Sequence, residues 1–207
     1  MLKTPMAIAA FPLLVTPVFG CDREPTGGGS GSTGGGVFRC ATTWRPQAAV
    51  SSASDPYASA RRACVDTINE LRATVGLPRL AAASSTQNAC SDEGAKRDGQ
   101  TRAAHGSAGL CCSEGLPGTQ NTCPGWPVGG FSGNASLEDA VRRCLRQMWD
   151  EGEPPQGRAA CQADVLGCFQ RHGHYLNMTS NNAAVSCGFY NMGNNTYWMN
   201  QNFGQTR

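Results

Sequence analysis

The stretch VSCGFYNMGNNTYWMNQNF, residues 185–203, decides the fold class of this chain. Val185, Cys187 and Phe189 alternate with small or polar residues, and the same period of two returns from Tyr197 to Phe203. Such alternation is typical of a strand that is buried on one face. The NMGNN segment between the two runs supplies glycine and asparagine, which tolerate positive φ in a turn. The stretch therefore predicts a C-terminal β-hairpin.

A first helix of about 20 residues is predicted upstream of the hairpin by its start and stop signals. Asp55 can cap the helix, and Pro56 suits its first position. Apolar residues recur at helical spacing until Gly76 and Pro78 end the pattern.

A second helix is predicted from Ser84 to about Gly99, and it consists mainly of small residues. Small side chains allow a helix to approach its neighbour closely. Lys96 and Arg97 are expected in its last turn, where positive charge suits the negative end of the helix dipole.

A third helix begins at a capping-box pattern, Ser136 with Asp139, and ends before Gly152. Its apolar stripe consists of Leu137, Val141, Cys144, Leu145 and Met148, and its solvent side carries Arg142, Arg143 and Arg146. Helices followed by a terminal hairpin predict a layered α+β domain.

Composition limits the classes of function. The 207 residues suit one domain, only 15% are charged, and the net charge is +2. The arginines are scattered and form no basic stripe, so nucleic acid is not an expected partner.

The N-terminus predicts export. Residues 1–20 combine Lys3 with an apolar run that two prolines interrupt, which is typical of a signal peptide rather than a membrane-spanning helix. The ending VFGC resembles a bacterial lipobox, in which Cys21 would carry the lipid. Alternatively, the signal is cleaved in the ordinary way and Cys21 is a structural thiol.

The predicted domain organisation follows from these features. Residues 21–37 comprise the lipid-attachment cysteine and a Gly/Ser-rich tether, and residues 38–207 form the folded domain. A cell-envelope lipoprotein or an extracellular protein is the expected location.

The cysteines predict a disulfide framework. Of the 11 cysteines, ten remain when Cys21 is set aside, and an exported chain keeps such pairs oxidised. Spacing alone leaves the connectivity open, except that adjacent Cys111 and Cys112 are expected to have different partners. The ten are Cys40, Cys64, Cys90, Cys111, Cys112, Cys123, Cys144, Cys161, Cys168 and Cys187.

Several blocks, in this order, resemble the CAP superfamily (SCP domain), which includes cysteine-rich secretory proteins, antigen 5 and the pathogenesis-related 1 proteins. The blocks are CVDTINELRATVGLPRL, QNACSDEGAKRDGQTRAAHGS, the helix end MWDE, GHYLNM, VSCGFY and WMNQNFG. The resemblance covers roughly residues 56–205. It implies an α-β-α sandwich with a central antiparallel sheet and a surface cavity.

In many members that cavity presents two histidines and two acidic residues that can hold a divalent metal. His105 in AAHGS and His174 in GHY match the two histidines. Counting from Met148, Glu151 matches one acidic residue. Imidazole and carboxylate groups are suitable metal ligands, and zinc, magnesium and calcium all stay open as the ion.

The second acidic position departs from the family pattern. Gln120 fits the block best but replaces the carboxylate with an amide, which can accept a hydrogen bond but cannot act as a general base. Glu114 is the alternative residue for this position. His172 is treated as a neighbour of the site and not as a ligand.

The favoured function is that of an exported, lipid-anchored binding module whose cavity takes a divalent metal, and a lipid, sterol-like molecule or surface polymer. The first alternative is a hydrolase in which Ser107 is the nucleophile and His105 or His174 the base. The second is a structural surface protein with a vestigial cavity. Because the resemblance implies no single reaction, enzymatic activity stays open, with a binding role preferred.

Overall fold

Helices and strands alternate along the part of the chain that the computed structural model describes, residues 55–117, 119–164 and 167–206. The helices are α1 (Ala58–Thr74), α2 (Ser85–Thr101), α3 (Leu137–Trp149), α4 (Arg158–Ala163) and α5 (Cys168–Met178). The strands are β1 (Ala81–Ala82), β2 (Thr119–Pro127), β3 (Ala184–Gly193) and β4 (Thr196–Gly204). The predicted signal peptide, Cys21, the tether and Cys40 lie outside the described residues.

The four strands form one sheet in the order β1-β3-β4-β2. Strands β3 and β4 are the predicted hairpin, which turns at Asn194 and Asn195 with positive φ at both residues. Strand β2 extends the sheet antiparallel to β4. The chain is therefore an α+β protein.

The expectation of a wholly antiparallel sheet is wrong at one edge, because β1 pairs parallel with β3. The Ala81 amide donates to the Ala183 carbonyl at 2.9 Å, and the Ala83 amide donates to Val185 at 3.1 Å. The segment between α1 and α2 thus runs in the same direction as β3, and the sheet is mixed.

The apolar face of the sheet packs against α1 and α3. The predicted alternation is confirmed, since Val185, Cys187 and Phe189 lie in the main core cluster with Met199 and Phe203. The predicted stripe of α3 joins this cluster, and its three arginines are exposed. Helix α3 also begins as predicted, with the Ser136 hydroxyl accepting the Asp139 amide hydrogen.

The opposite face of the sheet carries small and polar residues together with Tyr190 and Trp198, and it packs against α2. A Cβ atom on Gly188 of β3 would lie 2.0 Å from the carbonyl oxygen of Ser91 in α2. This contact confirms that the small residues of α2 permit a close approach.

The end of α2 differs from the prediction, because the helix continues to Thr101 and closes at Arg102 with left-handed backbone geometry. Gly99 does not terminate the helix. It makes room for Tyr190, whose ring carbon would lie 2.7 Å from a Cβ at that position. Lys96 and Arg97 are consequently outside the last turn.

The start of α1 is also later than predicted, at Ala58 instead of Pro56. Asp55 accepts the Tyr57 amide hydrogen at 2.9 Å, and its other oxygen lies 2.7 Å from Nε of Arg61. The ion pair with Arg61 holds the carboxylate beside the helix, so Asp55 is not its N-cap.

Arg61 and Asp92 cover the edge of β3 beyond its short pairing with β1. The Arg61 guanidinium donates to the Cys187 carbonyl, and Asp92 Oδ1 accepts the Phe189 amide hydrogen at 2.8 Å. The two side chains also form an ion pair at 2.6 Å. They occupy hydrogen-bonding positions that a neighbouring strand would otherwise fill.

The predicted disulfides are confirmed for four pairs within the described residues. The pairs are Cys64–Cys187, Cys90–Cys111, Cys123–Cys144 and Cys161–Cys168. Because Cys111 pairs with Cys90, Cys112 has a different partner, as expected. Cys64–Cys187 joins α1 to β3, and Cys123–Cys144 joins β2 to α3, so two bonds fasten helices to the apolar face.

Within the described residues, no helix is both long enough and apolar enough to cross a bilayer.

Candidate functional site

The two histidines of the predicted cavity meet in the structure. Their ring centroids are 6.4 Å apart, with 30° between the ring planes. His105 follows the end of α2, and His174 lies on α5, so residues far apart in sequence converge at one place. Both residues are partly exposed.

An unusual backbone conformation accompanies the His105 side chain. Its φ is 63°, in the left-handed region, and Arg102 three residues earlier has φ 55°. Left-handed geometry is uncommon for residues other than glycine and clusters at functional sites. The turn between α2 and β2 thus carries His105 in a conformation that most residues avoid.

Gln120 is the partner of His105. Its side-chain oxygen is 3.2 Å from Nδ1 of His105, and the Thr122 hydroxyl lies 3.4 Å from the same nitrogen. Strand β2 brings both residues to the site, since Gln120 and Thr122 share one face of the strand.

Glu114, the alternative to Gln120, makes its contacts elsewhere. Its carbonyl accepts a hydrogen bond from Gln87, and its carboxylate accepts one from Ser113. Of the two candidates, the structure brings Gln120 to His105.

Glu151 is the partner of His174. Its Oε1 lies 2.5 Å from Nδ1 of His174, and its Oε2 accepts the His174 amide hydrogen at 3.0 Å. The turn after α3 supplies this carboxylate, at the residue reached by counting from Met148. All four residues of the predicted constellation therefore lie together as two hydrogen-bonded pairs.

His172 holds the turn that carries Glu151. Its Nδ1 lies 2.8 Å from the Glu151 carbonyl and 3.0 Å from the Gly152 carbonyl. Because α5 is a helix, His172 and His174 point in different directions although two residues separate them. His172 is thus a neighbour of the site, as the sequence suggested.

Burial lowers the pKa of His105, and the proximity of His174 lowers it further. The hydrogen bond with Gln120 opposes this shift only in part. His105 is consequently neutral at pH 7, and a neutral imidazole has one nitrogen with a free lone pair.

Ser107, the nucleophile of the hydrolase alternative, is buried with 4% of its surface exposed. Its hydroxyl donates to Oδ2 of Asp98 at 2.9 Å. Among the described residues, no hydrogen bond links Ser107 to a histidine. The pairing of nucleophile and base that this alternative requires is absent from the part of the chain described.

The site fits a metal only in part. No group of three or more His, Cys, Asp or Glu residues with metal-binding geometry occurs in the three described ranges. However, the rings of His105 and His174 make their hydrogen bonds with described residues through Nδ1, and no described residue bonds to either Nε2. Ligand histidines in metalloproteins are commonly oriented by such a bond at the other nitrogen.

Two surface depressions lie away from the histidines. One, of about 430 Å³, is lined by residues of β2 and α3 that include Trp126 and Arg143. The other, of about 330 Å³, lies between α1 and β1 and includes Arg61. Neither depression contains His105 or His174.

The sequence reasoning missed the buried residues behind the site. Asp98 is fully buried in α2, and its Oδ2 also accepts a hydrogen bond from Asn200 at 2.8 Å. A signal was present, because Asp98 continues a helical stripe of small residues through Ser91, Gly94 and Ala95. A carboxylate on such a stripe is buried with the stripe.

No protein-family model matches this sequence, and comparison with curated proteins gives no significant match.

Proposed function

We propose that this chain is an exported CAP-superfamily domain that acts as an extracytoplasmic binding module. The proposal includes an α-β-α sandwich, with α1 and α3 on one face of the sheet and α2 on the other. The observation that carries it is the pair of histidines 6.4 Å apart, each bound through Nδ1 to a different polar partner.

The ligand that best suits this arrangement is a divalent transition metal. His105 and His174 would hold it through their Nε2 atoms, and Glu151 and Gln120 would orient the rings or complete the shell. Imidazole nitrogen favours zinc and similar ions over magnesium and calcium, which prefer oxygen ligands. When bound, such an ion supplies a Lewis-acidic anchoring point for a ligand.

Metal-dependent thermal stability tests this proposal. In metal-free protein, zinc at a hundredfold excess over its Kd should raise the Tm by roughly 5 °C or more, because it binds only the folded state. His105→Ala and His174→Ala should abolish the rise, whereas His172→Gln should retain it. An unchanged Tm in the wild type would favour the structural protein with a vestigial cavity.

Export and lipidation form the second part of the proposal. They rest on the signal-like N-terminus and the lipobox-like VFGC, and the disulfides are consistent with an oxidising compartment. Mass spectrometry of the native protein should find an acylated N-terminal Cys21. A mature terminus at another residue would eliminate the lipid anchor.

A lipid, sterol-like molecule or surface polymer as the ligand rests on the family resemblance alone. Binding of radiolabelled sterol or of fluorescent fatty acid, measured with and without zinc, tests this part separately from metal binding.

A further inference from the structure

A cluster of buried polar side chains lies between α2 and the sheet, directly behind His105. Its members are nearly or fully inaccessible, with exposures of 5% or less. They are Asp98, Ser107, Gln120, Asn200 and Asn202. Buried polar groups need matched donors and acceptors, so the direction of each hydrogen bond in such a cluster is constrained.

The chain of hydrogen bonds starts at Asp98. Its Oδ2 accepts the Ser107 hydroxyl hydrogen at 2.9 Å. A serine hydroxyl has a single hydrogen. Because that hydrogen goes to Asp98, the Ser107 oxygen can only accept hydrogen bonds from its other neighbours.

Ser107 then determines how the Gln120 amide is turned. The Gln120 nitrogen lies 3.3 Å from Ser107 Oγ and 3.0 Å from Oδ1 of Asn202. The Asn202 oxygen faces Gln120, and the Asn202 nitrogen donates to Ser91 Oγ on the other side at 2.9 Å. With an acceptor on each side, the amide nitrogen must face inwards. In the reverse orientation, the Gln120 oxygen would face the oxygens of Ser107 and Asn202, which is unfavourable.

The turned amide in turn fixes the proton of His105. The Gln120 oxygen faces Nδ1 of His105 at 3.2 Å and also accepts the Thr122 hydroxyl hydrogen at 3.3 Å. An amide oxygen cannot donate, and the Thr122 hydroxyl, 3.4 Å from Nδ1, gives its single hydrogen to Gln120, so Nδ1 of His105 carries the hydrogen. In the neutral ring, the lone pair is then on Nε2.

We propose that Asp98, Ser107 and Gln120 form a relay that holds His105 in the tautomer with hydrogen on Nδ1. Asp98 and Ser107 are positioning residues, since they act on His105 only through Gln120. Glu151 imposes the same tautomer on His174 directly. The use of the two Nε2 lone pairs rests on the proposed metal-binding function, but the tautomer itself does not.

The relay also explains how an amide can stand where the family resemblance implies a carboxylate. Both oxygens of a carboxylate accept, so a glutamate would select the same tautomer in either orientation. A glutamine selects it in only one of two orientations. The buried acceptors Ser107 Oγ and Asn202 Oδ1 hold the glutamine in that one orientation.

Nitrogen-15 NMR of metal-free, histidine-labelled protein tests the relay, because long-range ¹H–¹⁵N correlations identify the protonated ring nitrogen. At a pH where the rings are neutral, wild-type His105 should show hydrogen on Nδ1. In Ser107→Ala, the population of the Nε2–H tautomer should rise by roughly fivefold or more, which corresponds to one neutral hydrogen bond. Asp98→Ala should also raise the population of the Nε2–H tautomer. If Asp98→Ala does not fold, Ser107→Ala alone tests the relay.

Ser186→Ala is the matched control, since Ser186 is a fully buried serine on the same face of the sheet and bonds to Gln87 and Asn88. It should leave His105 unchanged, and His174 should keep hydrogen on Nδ1 in Ser107→Ala. The relay is overturned if wild-type His105 carries hydrogen on Nε2, if Ser107→Ala has no effect, or if Ser186→Ala has an equal effect. Because no metal is present, a failure of zinc binding leaves this test unaffected.

Discussion

At the scale of single residues, Gly188 determines how closely α2 approaches the sheet. A methyl group at Gly188 would lie 2.0 Å from the carbonyl oxygen of Ser91. Because this oxygen belongs to the backbone, the clash cannot be relieved by a side-chain rotation. Gly188→Ala should therefore lower the free energy of unfolding by about 1–3 kcal/mol, the range for overpacked cores. Urea unfolding measures the change. Ser186→Ala, two residues earlier on the same face, should cost less, and equal losses would contradict the steric explanation.

His105 should make stability depend on pH. Its pKa is lowered by burial and by His174, so the unfolded state binds a proton at a higher pH than the folded state does. The stability that neutral His105 contributes is fully present above its unfolded pKa of about 6.5. It is lost as the pH falls below that value and through the lower pKa of the folded state. His105→Gln should flatten the decline in unfolding free energy between about pH 7 and about pH 5.

The measurement is a series of urea titrations across that range, in which slopes and not absolute stabilities are compared. A His105→Gln slope equal to that of the wild type would contradict the assigned shift.

The identities of the four site residues could be predicted from the sequence, but the hydrogen bonds between them could not. The order of the sequence blocks selected His105, His174, Glu151 and Gln120, and these four converge. The left-handed φ of His105 and the burial of Asp98 depend on how α2 ends and packs. Those features arise from tertiary contacts, which local sequence patterns do not specify.

At the scale of secondary-structure elements, Arg61 and Asp92 protect the exposed edge of β3. Arg61→Ala should leave the Asp92 carboxylate and the Cys187 carbonyl without their partner. We expect a loss of roughly 3 kcal/mol, the lower end for a broken buried pair, because 30% of the Asp92 side chain remains exposed. Urea unfolding measures the loss.

Arg62→Ala is the matched control, since Arg62 is the adjacent exposed arginine of the same helix. It should change stability by less than about 0.5 kcal/mol. Similar losses in the two variants would show that α1, and not the edge of β3, is what Arg61 supports.

The elements with strong periodicity were predictable, whereas the short ones were not. The hairpin of β3 and β4, and helix α3, follow from alternation and from capping. Strand β1 has only two residues and exists because β3 lies beside it. Strand β2 contains Gly125 and two prolines, which disrupt its pattern, and β2 is specified by its pairing with β4.

At the scale of the whole molecule, the disulfides differ in how much of the chain they constrain. Cys64–Cys187 spans 123 residues, and Cys161–Cys168 spans 7. The chain-entropy relation gives about 5 kcal/mol for the long loop and about 2.4 kcal/mol for the short one. Replacing both cysteines of the long loop by alanine should therefore lower the free energy of unfolding about twice as much.

Chemical unfolding of the two double variants under non-reducing conditions provides the comparison. All four cysteines are buried in hydrophobic clusters, so both variants lose packing and the difference between them reports the length of the loop. A larger loss in Cys161→Ala/Cys168→Ala would contradict the ranking.

The disulfide between Cys90 and Cys111 also affects whether proteolysis after α2 separates the chain into two fragments. Arg102 is exposed and ends α2, which makes the following peptide bond accessible to trypsin. A cut there yields a two-chain molecule and not two separate fragments, because both Cys90–Cys111 and Cys64–Cys187 span it. Nicked protein should migrate as one band without reductant and as two bands with it. His105 would then be the third residue of the new chain, still tethered to the rest of the site.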